Sequence, residues 1–254
     1  MEGLVARRKQ HLQQLDDLLK SFFLEIFGDP VRNDKGWENY SLQDGCNEIY
    51  RYPTFYGFEY SSAGTPVVRI GNILLNGNID PNLHNYVFVP DEISNRYPRT
   101  ILKLNDIVMA VRGDGSTGKR IGIINSTNLT GANMSPNLLR MSCNKKVINP
   151  IFFFHFLTSE RGQIFISRNI TRTAKKTITA ENLKAISIPR PPISLQNEFS
   201  VIVEKVEVLK SHYQQSLAEL ECLYGALSQK AFTGKLDLSR VQLPVEGTME
   251  GAQR

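Results

Sequence analysis

Cysteine is scarce in this chain, with three in 254 residues. Cys46, Cys143 and Cys222 stand far apart and form no CxxC pair, so the sequence offers neither a disulfide framework nor a zinc knuckle. His11, His84, His155 and His212 do not cluster at metal-ligand spacing, and neither a metal nor a cofactor is expected. Long apolar runs are missing too: the longest, Ile151 to Leu157, falls far short of the roughly 20 residues of a membrane span. The N-terminal stretch carries Glu and Arg with no apolar signal core, so the expected location is the cytoplasm and the sequons at Asn125, Asn128 and Asn169 carry no meaning. Also lacking are a Ser/His/Asp arrangement, paired carboxylates in a recognisable setting and a nuclease-like acidic cluster, so the chain reads as a binder and not a catalyst.

What the chain does have is a hydrophobic fraction of 41%, ample for one full-sized core, and a pronounced helical seam. Leu195, Phe199, Ile202, Val206, Leu209, Tyr213, Ser216, Leu220, Leu223 and Leu227 alternate in steps of four and three, the 3.5-residue period of a left-handed supercoil. Such a helix needs a partner. A shift of 205 positions lays Leu12, Leu15, Leu18, Phe22 and Phe27 onto Leu217, Leu220, Leu223, Leu227 and Phe232, so the N-terminal stretch reads as a shorter copy of the C-terminal one.

Charge divides unevenly. Residues 1–29 carry 4 basic and 5 acidic side chains, residues 30–190 carry 20 and 12, and residues 191–254 carry 6 and 8, for net charges of −1, +8 and −2. All of the excess positive charge lies in the middle, as expected of a domain that meets a polyanion such as nucleic acid, although it also serves solubility.

The first helix is predicted from about Val5 to Phe27, stopped by Gly28-Asp29-Pro30. Between Lys35 and Pro192 short apolar runs are broken by Gly, Asn and Pro, and strands are predicted at 67–70, 86–89, 106–112, 121–124, 137–141 and 185–189. One amphipathic helix is expected over 150–168 and a short helical turn at Ala180 to Leu183 behind a Thr179 cap. Pro191-Pro192 precedes a helix from Leu195 to Phe232, about 57 Å long at 1.5 Å per residue and ended by Gly234. The predicted organisation is a helix over 1–29, a mostly β domain over 30–192, a coiled-coil helix over 193–236 and a disordered tail over 237–254.

Two motifs tempt an enzymatic reading. Gly113-Asp-Gly-Ser-Thr-Gly-Lys119 satisfies both GxGxxG and GxxxxGK, but Arg120 stands where a P-loop needs Ser or Thr, and 121–124 reads as a strand where a phosphate cradle needs a helix. What is left is a glycine-rich loop with Arg112, Ser116, Lys119 and Arg120, suited to a nucleic-acid phosphate or else a plain turn. Asn149-Pro-Ile-Phe152 resembles the Asn-Pro-Pro-aromatic motif of amino-methyltransferases without its second proline, and reads more simply as a helix cap ahead of a core of Phe152, Phe153, Phe154 and Phe156. The segment from Arg168 to Thr177 holds four cations and no acid, and Tyr50-Arg51-Tyr52-Pro-Thr-Phe-Tyr56 sets aromatics beside a cation; each could equally be a surface loop or a core plug.

The order of parts resembles the specificity (S) subunit of type I restriction-modification enzymes: Gly-Trp-Glu (36–38), Thr-Pro-Val-Val-Arg-Ile-Gly-Asn-Ile (65–73), Leu-Asn-Asp-Ile-Val-Met-Ala-Val-Arg-Gly (104–113), Gly-Lys (118–119), and Ile-Thr-Ala-Glu-Asn-Leu with Ile-Pro-Arg-Pro-Pro and Gln (178–196) before a long helix. The resemblance covers about residues 5–236. It implies an α+β fold, with a mostly β target-recognition domain flanked by long helices that form an antiparallel coiled coil. It further implies reading of a half-site in duplex DNA, docking of methyltransferase (M) and possibly restriction (R) subunits, and no catalysis by the chain itself. Family members usually carry two recognition domains, whereas this chain has one between two helical copies and looks like half a subunit. Pairing of two copies would then make a homodimer that reads an interrupted palindrome.

On this reading the candidates for DNA contact are Arg51, Arg69, Asn72, Arg112, Ser116, Lys119, Arg172, Lys175 and Lys176, the lysines on phosphates and the arginines and Asn72 on bases. The candidate helix interface is Leu15, Phe22, Ile202, Val206, Leu209, Tyr213, Leu220, Leu223 and Leu227. The rival readings are a coiled-coil assembly protein whose β domain binds protein, and an enzyme using a nucleotide or S-adenosylmethionine.

Overall fold

The computed structural model describes residues 2–51, 59–111, 120–169 and 179–235. In chain order the elements are α1 (Glu2–Phe27), β1 (Asn39–Ser41), α2 (Leu42–Gly45), β2 (Cys46–Arg51), β3 (Thr65–Val68), β4 (Val87–Val89), α3 (Asp91–Arg96), β5 (Ile107–Ala110), β6 (Ile121–Ile123), β7 (Asn133–Met134), β8 (Leu138–Cys143), α4 (Pro150–Thr158), α5 (Glu160–Asn169), α6 (Ala180–Lys184), β9 (Ser187–Pro189) and α7 (Ile193–Phe232). The expected α+β class holds, with a β domain between two long helices.

The helix ends follow their sequence signals. At the end of α1, Gly28 adopts φ +75° and its N–H reaches the Leu24 carbonyl at 2.9 Å, a left-handed stop that a side chain would resist. The Trp37 indole N–H donates to the Phe27 carbonyl at 2.9 Å, satisfying another last-turn acceptor. Asn149 caps α4 by accepting from the Ile151 N–H at 2.9 Å, and Thr179 caps α6 by accepting from the Asn182 N–H at 3.1 Å. The single helix expected over 150–168 is instead two. Ser159 takes extended backbone (ψ 149°), and its hydroxyl accepts from the Gly162 N–H at 2.9 Å, ending α4 and capping α5 in one residue.

Chain contacts divide the molecule into a globular unit, Asp17–Val206, and a helical unit made of the first 16 residues with those from Glu207 onward. The globular unit therefore takes in more of both long helices than the expected 30–192. Its four-stranded antiparallel sheet runs β2-β8-β5-β6, beside a three-stranded sheet β4-β3-β7 and the two-stranded pair β1-β9. One face of the larger sheet gives Val108, Ala110 and Leu138 to a buried cluster with Val68, Ile73, Leu102 and Met134. The opposite face is buried as well, through Ile107, Met109, Ile121, Leu139 and Met141. Burial on both faces explains why these strands read as continuous apolar runs and not as alternation. A second core is aromatic: Phe23 and Phe27 of α1 meet Phe152 of α4 and Phe199 of α7, with ring centroids 4.6 to 5.8 Å apart. Cys46 and Cys143 lie opposite one another across β2 and β8 as buried free thiols, and the hydrogen bond between them together with burial pushes the Cys143 thiol up.

In the helical unit the two helices run antiparallel, with Lys9 paired to Glu221 at 2.8 Å and Lys210 to Asp16 at 2.8 Å. Most of the expected seam is covered, with Leu15, Phe22, Ile202 and Leu227 half-buried. Val206, Tyr213 and Leu220 are buried or half-buried as expected, but Leu209 is 48% and Leu223 50% exposed, and the buried residue beside Leu209 is Lys210. Lys210 also reaches Glu207 at 2.7 Å. Burial alone would lower its pKa, but the hydrogen bonds to Asp16 and Glu207 outweigh that and hold it above 10.5. An apolar repeat shows that a helix has a buried stripe; it does not show that Lys210 joins that stripe by pairing with Asp16.

Candidate nucleic-acid interface

The strand registers bring separate parts of the sequence to one end of the four-stranded sheet. Arg51, the last residue of β2, lies opposite Leu139 near the start of β8; Ala110, the last of β5, lies opposite Leu138; and Met109 lies opposite Ile121, the first of β6. The ends of β2 and β5 and the start of β6 therefore share this end. Arg112, Ser116 and Lys119 fall outside the described residues, as do Arg172, Lys175 and Lys176. The described strand β6 follows the glycine-rich motif and pairs antiparallel with β5, where a phosphate cradle needs a helix. Asn149 spends its side chain on the α4 cap and on Asn197 of α7 at 2.9 Å, an interior use at odds with a methyltransferase motif.

Of the described candidates, Arg51 is half-buried at the sheet end and Arg69 is exposed at the start of a short helical turn over Ile70–Asn72. Asn72 is different. It is 3% exposed, its Oδ1 accepts from the Arg69 N–H at 2.9 Å and its Nδ2 donates to the Asn85 carbonyl at 3.1 Å. Both ends of the amide hold the turn, and base contact, the role expected of it, finds no support in this geometry. Arg120 is likewise committed, donating from Nη1 to the Ile73 carbonyl at 2.8 Å. This bond ties the start of β6 to the hairpin between Ile73 and Ile79. Gly77 in that hairpin, at φ +81°, leaves room for Phe154, whose Cζ would sit 2.3 Å from any added Cβ.

Beside Arg51 a network missed by sequence reasoning runs from the interior outward. Asp106 lies 3.6 Å from Arg140, whose Nη1 donates to the Ile101 carbonyl at 2.6 Å; Arg140 also pairs with Glu48, and Glu48 pairs with Arg99 at 2.7 Å. Burial pushes the Asp106 carboxyl up, against the Lys103 N–H and the Arg140 charge. Arg99 stacks on the Tyr50 ring at 4.0 Å, and burial raises the Tyr50 hydroxyl above its ordinary value. The available signal was the stretch 95–105, which holds Arg96, Arg99 and Lys103 and no acid. Among the described residues no three His, Cys, Asp or Glu side chains are placed to share a metal, and no helix is long and apolar enough to cross a membrane.

Comparison with known proteins agrees in direction. A family model described as the type I restriction modification DNA specificity domain matches residues 34–221. The type I restriction enzyme EcoBI specificity subunit of Escherichia coli is 28% identical over 261 residues, covering 91% of this chain and 53% of that protein. The MjaVIII specificity subunit of Methanocaldococcus jannaschii is 25% identical over 248 residues, covering 92% of this chain and 57% of that protein. Among solved structures, the HsdS subunit of Thermoanaerobacter tengcongensis aligns with a TM-score of 0.52 at 16% identity, over 92% of this chain and 55% of that one. The type I S subunit of M. genitalium aligns with a TM-score of 0.54 at 14% identity, over 88% and 56%. These structural likenesses show a shared fold, and the chain spans about half the length of the relatives it matches.

Proposed function

Because this chain belongs to the type I restriction-modification DNA specificity family, we propose that it is a non-catalytic cytoplasmic subunit that reads half of a bipartite site in duplex DNA. Its helices dock methyltransferase subunits, and restriction subunits join the same assembly. The observation that carries the reading is that β2 and β5 end, and β6 begins, at one end of a sheet within a region of net charge +8. Arg51, Arg69, Arg112, Ser116, Lys119, Arg172, Lys175 and Lys176 are its proposed DNA contacts. The exposed Leu209 and Leu223 support a second layer of helix packing beyond the intrachain pair, and two copies of the chain fit the antiparallel arrangement.

The test is selection from a randomised duplex library by the purified chain, with and without methyltransferase subunits. A split motif with two matching inverted halves is the expected result; no enrichment even with the partner present would move the reading to a protein-assembly role. In the same assay, replacing Lys175 and Lys176 together with Ala lowers the salt slope of binding by about two and leaves sequence preference intact. An unchanged slope would remove that segment from the interface.

A further inference from the structure

Arg99 is placed in an unusual way for a surface arginine. It sits on the short turn Pro98–Thr100, its side chain 60% exposed, and only its Nε is engaged, by Glu48 at 2.7 Å. Among the described residues neither of its Nη atoms has a hydrogen-bond partner. One face of the guanidinium lies 4.0 Å over the Tyr50 ring, and Tyr50 immediately precedes Arg51, from which segment 52–58 departs. An ion pair this exposed adds little to stability, and Glu48 already has the buried Arg140 as a partner. The charges alternate from the interior outward, Asp106, Arg140, Glu48, Arg99, so the outermost is positive and the most exposed of the four. Arg96 and Lys103 on either side add cations to a stretch without acids.

Resting on the DNA-reading role above, we infer that Arg99 clamps a backbone phosphate of duplex DNA, with Tyr50 as its positioning residue. A guanidinium anchored through Nε and laid flat on a ring cannot extend into a groove to reach base edges. Phosphates, which form the outer ridges of the duplex, come to it. The planar fork with both Nη groups available matches two phosphate oxygens, and the prior immobilisation removes part of the ordering cost of binding.

The experiment measures binding of the full chain, with methyltransferase subunits, to the selected duplex across a salt series. Arg99→Ala is expected to weaken binding about tenfold and reduce the salt slope by about one, with the preferred sequence unchanged. Tyr50→Leu keeps the charge and loses the stacking surface, so affinity falls several-fold while the slope stays at the wild-type value. Thermal unfolding of both variants reports whether either has lost its fold. Wild-type selection with unchanged affinity and slope in Arg99→Ala overturns the phosphate clamp and leaves the DNA-reading role standing. Loss of affinity with an unchanged slope and an altered base preference also overturns it, in favour of base contact. Failure of the wild type to select any duplex overturns both.

Discussion

Among the described residues the helical and globular units each bury one cation, and they use it differently. Lys210 in the helical unit is a point charge between Asp16 and Glu207, both carboxylates 44% exposed. Arg140 in the globular unit is 4% exposed, and its fork joins β8 to Glu48 on β2, to the Ile101 carbonyl and to Asp106, which is itself buried. A lysine whose partners keep much of their water sets which helix faces meet. An arginine paired to a buried carboxylate, Asp106, is part of the core and, through the part-exposed Glu48, reaches toward the surface at Arg99.

Breaking the arginine should therefore cost most. Arg140→Met strands the Asp106 carboxylate in the interior and is expected to destabilise the chain by about 3–5 kcal/mol in urea unfolding. A cost below about 1 kcal/mol would show that Asp106 simply takes up a proton. Asn72→Ala, which orphans the Arg69 N–H and the Asn85 carbonyl, is expected to cost about 1–3 kcal/mol without altering the preferred DNA sequence. A changed preference at one base pair would restore Asn72 to the reading surface. Lys210→Ala should cost about 1–2 kcal/mol, and Lys210→Met close to nothing, because its acids can turn to solvent. The pH dependence sharpens the contrast. Because the folded state holds Lys210 above its ordinary value of 10.5, its contribution is complete below that pH and is lost as pH rises through the folded value. Wild type should thus lose more thermal stability than Lys210→Met in alkaline solution, and parallel losses would contradict the pairing.

The elements with strong local signals were legible. Gly28 and Pro30 stop α1, Asn149 and Thr179 cap their helices, and the Phe152 to Phe156 cluster is core. Ser159 was not legible, because a single serine inside an apolar helical pattern gives no sign that its hydroxyl will turn to cap the next segment. The turn-holding use of Asn72 was hidden for a related reason: an amide beside an arginine suits a base edge and a backbone turn equally well, and only burial separates the two. The six loop candidates in 112–119 and 170–178 are known by composition, whereas Arg99 emerged from the contact of residues 48, 50, 99 and 140, which no spacing in the chain announces.

What the sequence determined by itself is the set of parts and their order: two long helices from the apolar period, a β-rich middle bearing the positive charge, and the residue pattern of a specificity subunit. Only the tertiary structure decided that Lys210 and not Leu209 turns inward, that Asn72 holds a turn, and that Arg99 lies over Tyr50 beside Glu48. Local pattern follows from how each segment meets water, which neighbouring residues express directly. Which polar group is buried, and beside what, depends on partners tens of residues away, and becomes definite only when strands pair and helices pack.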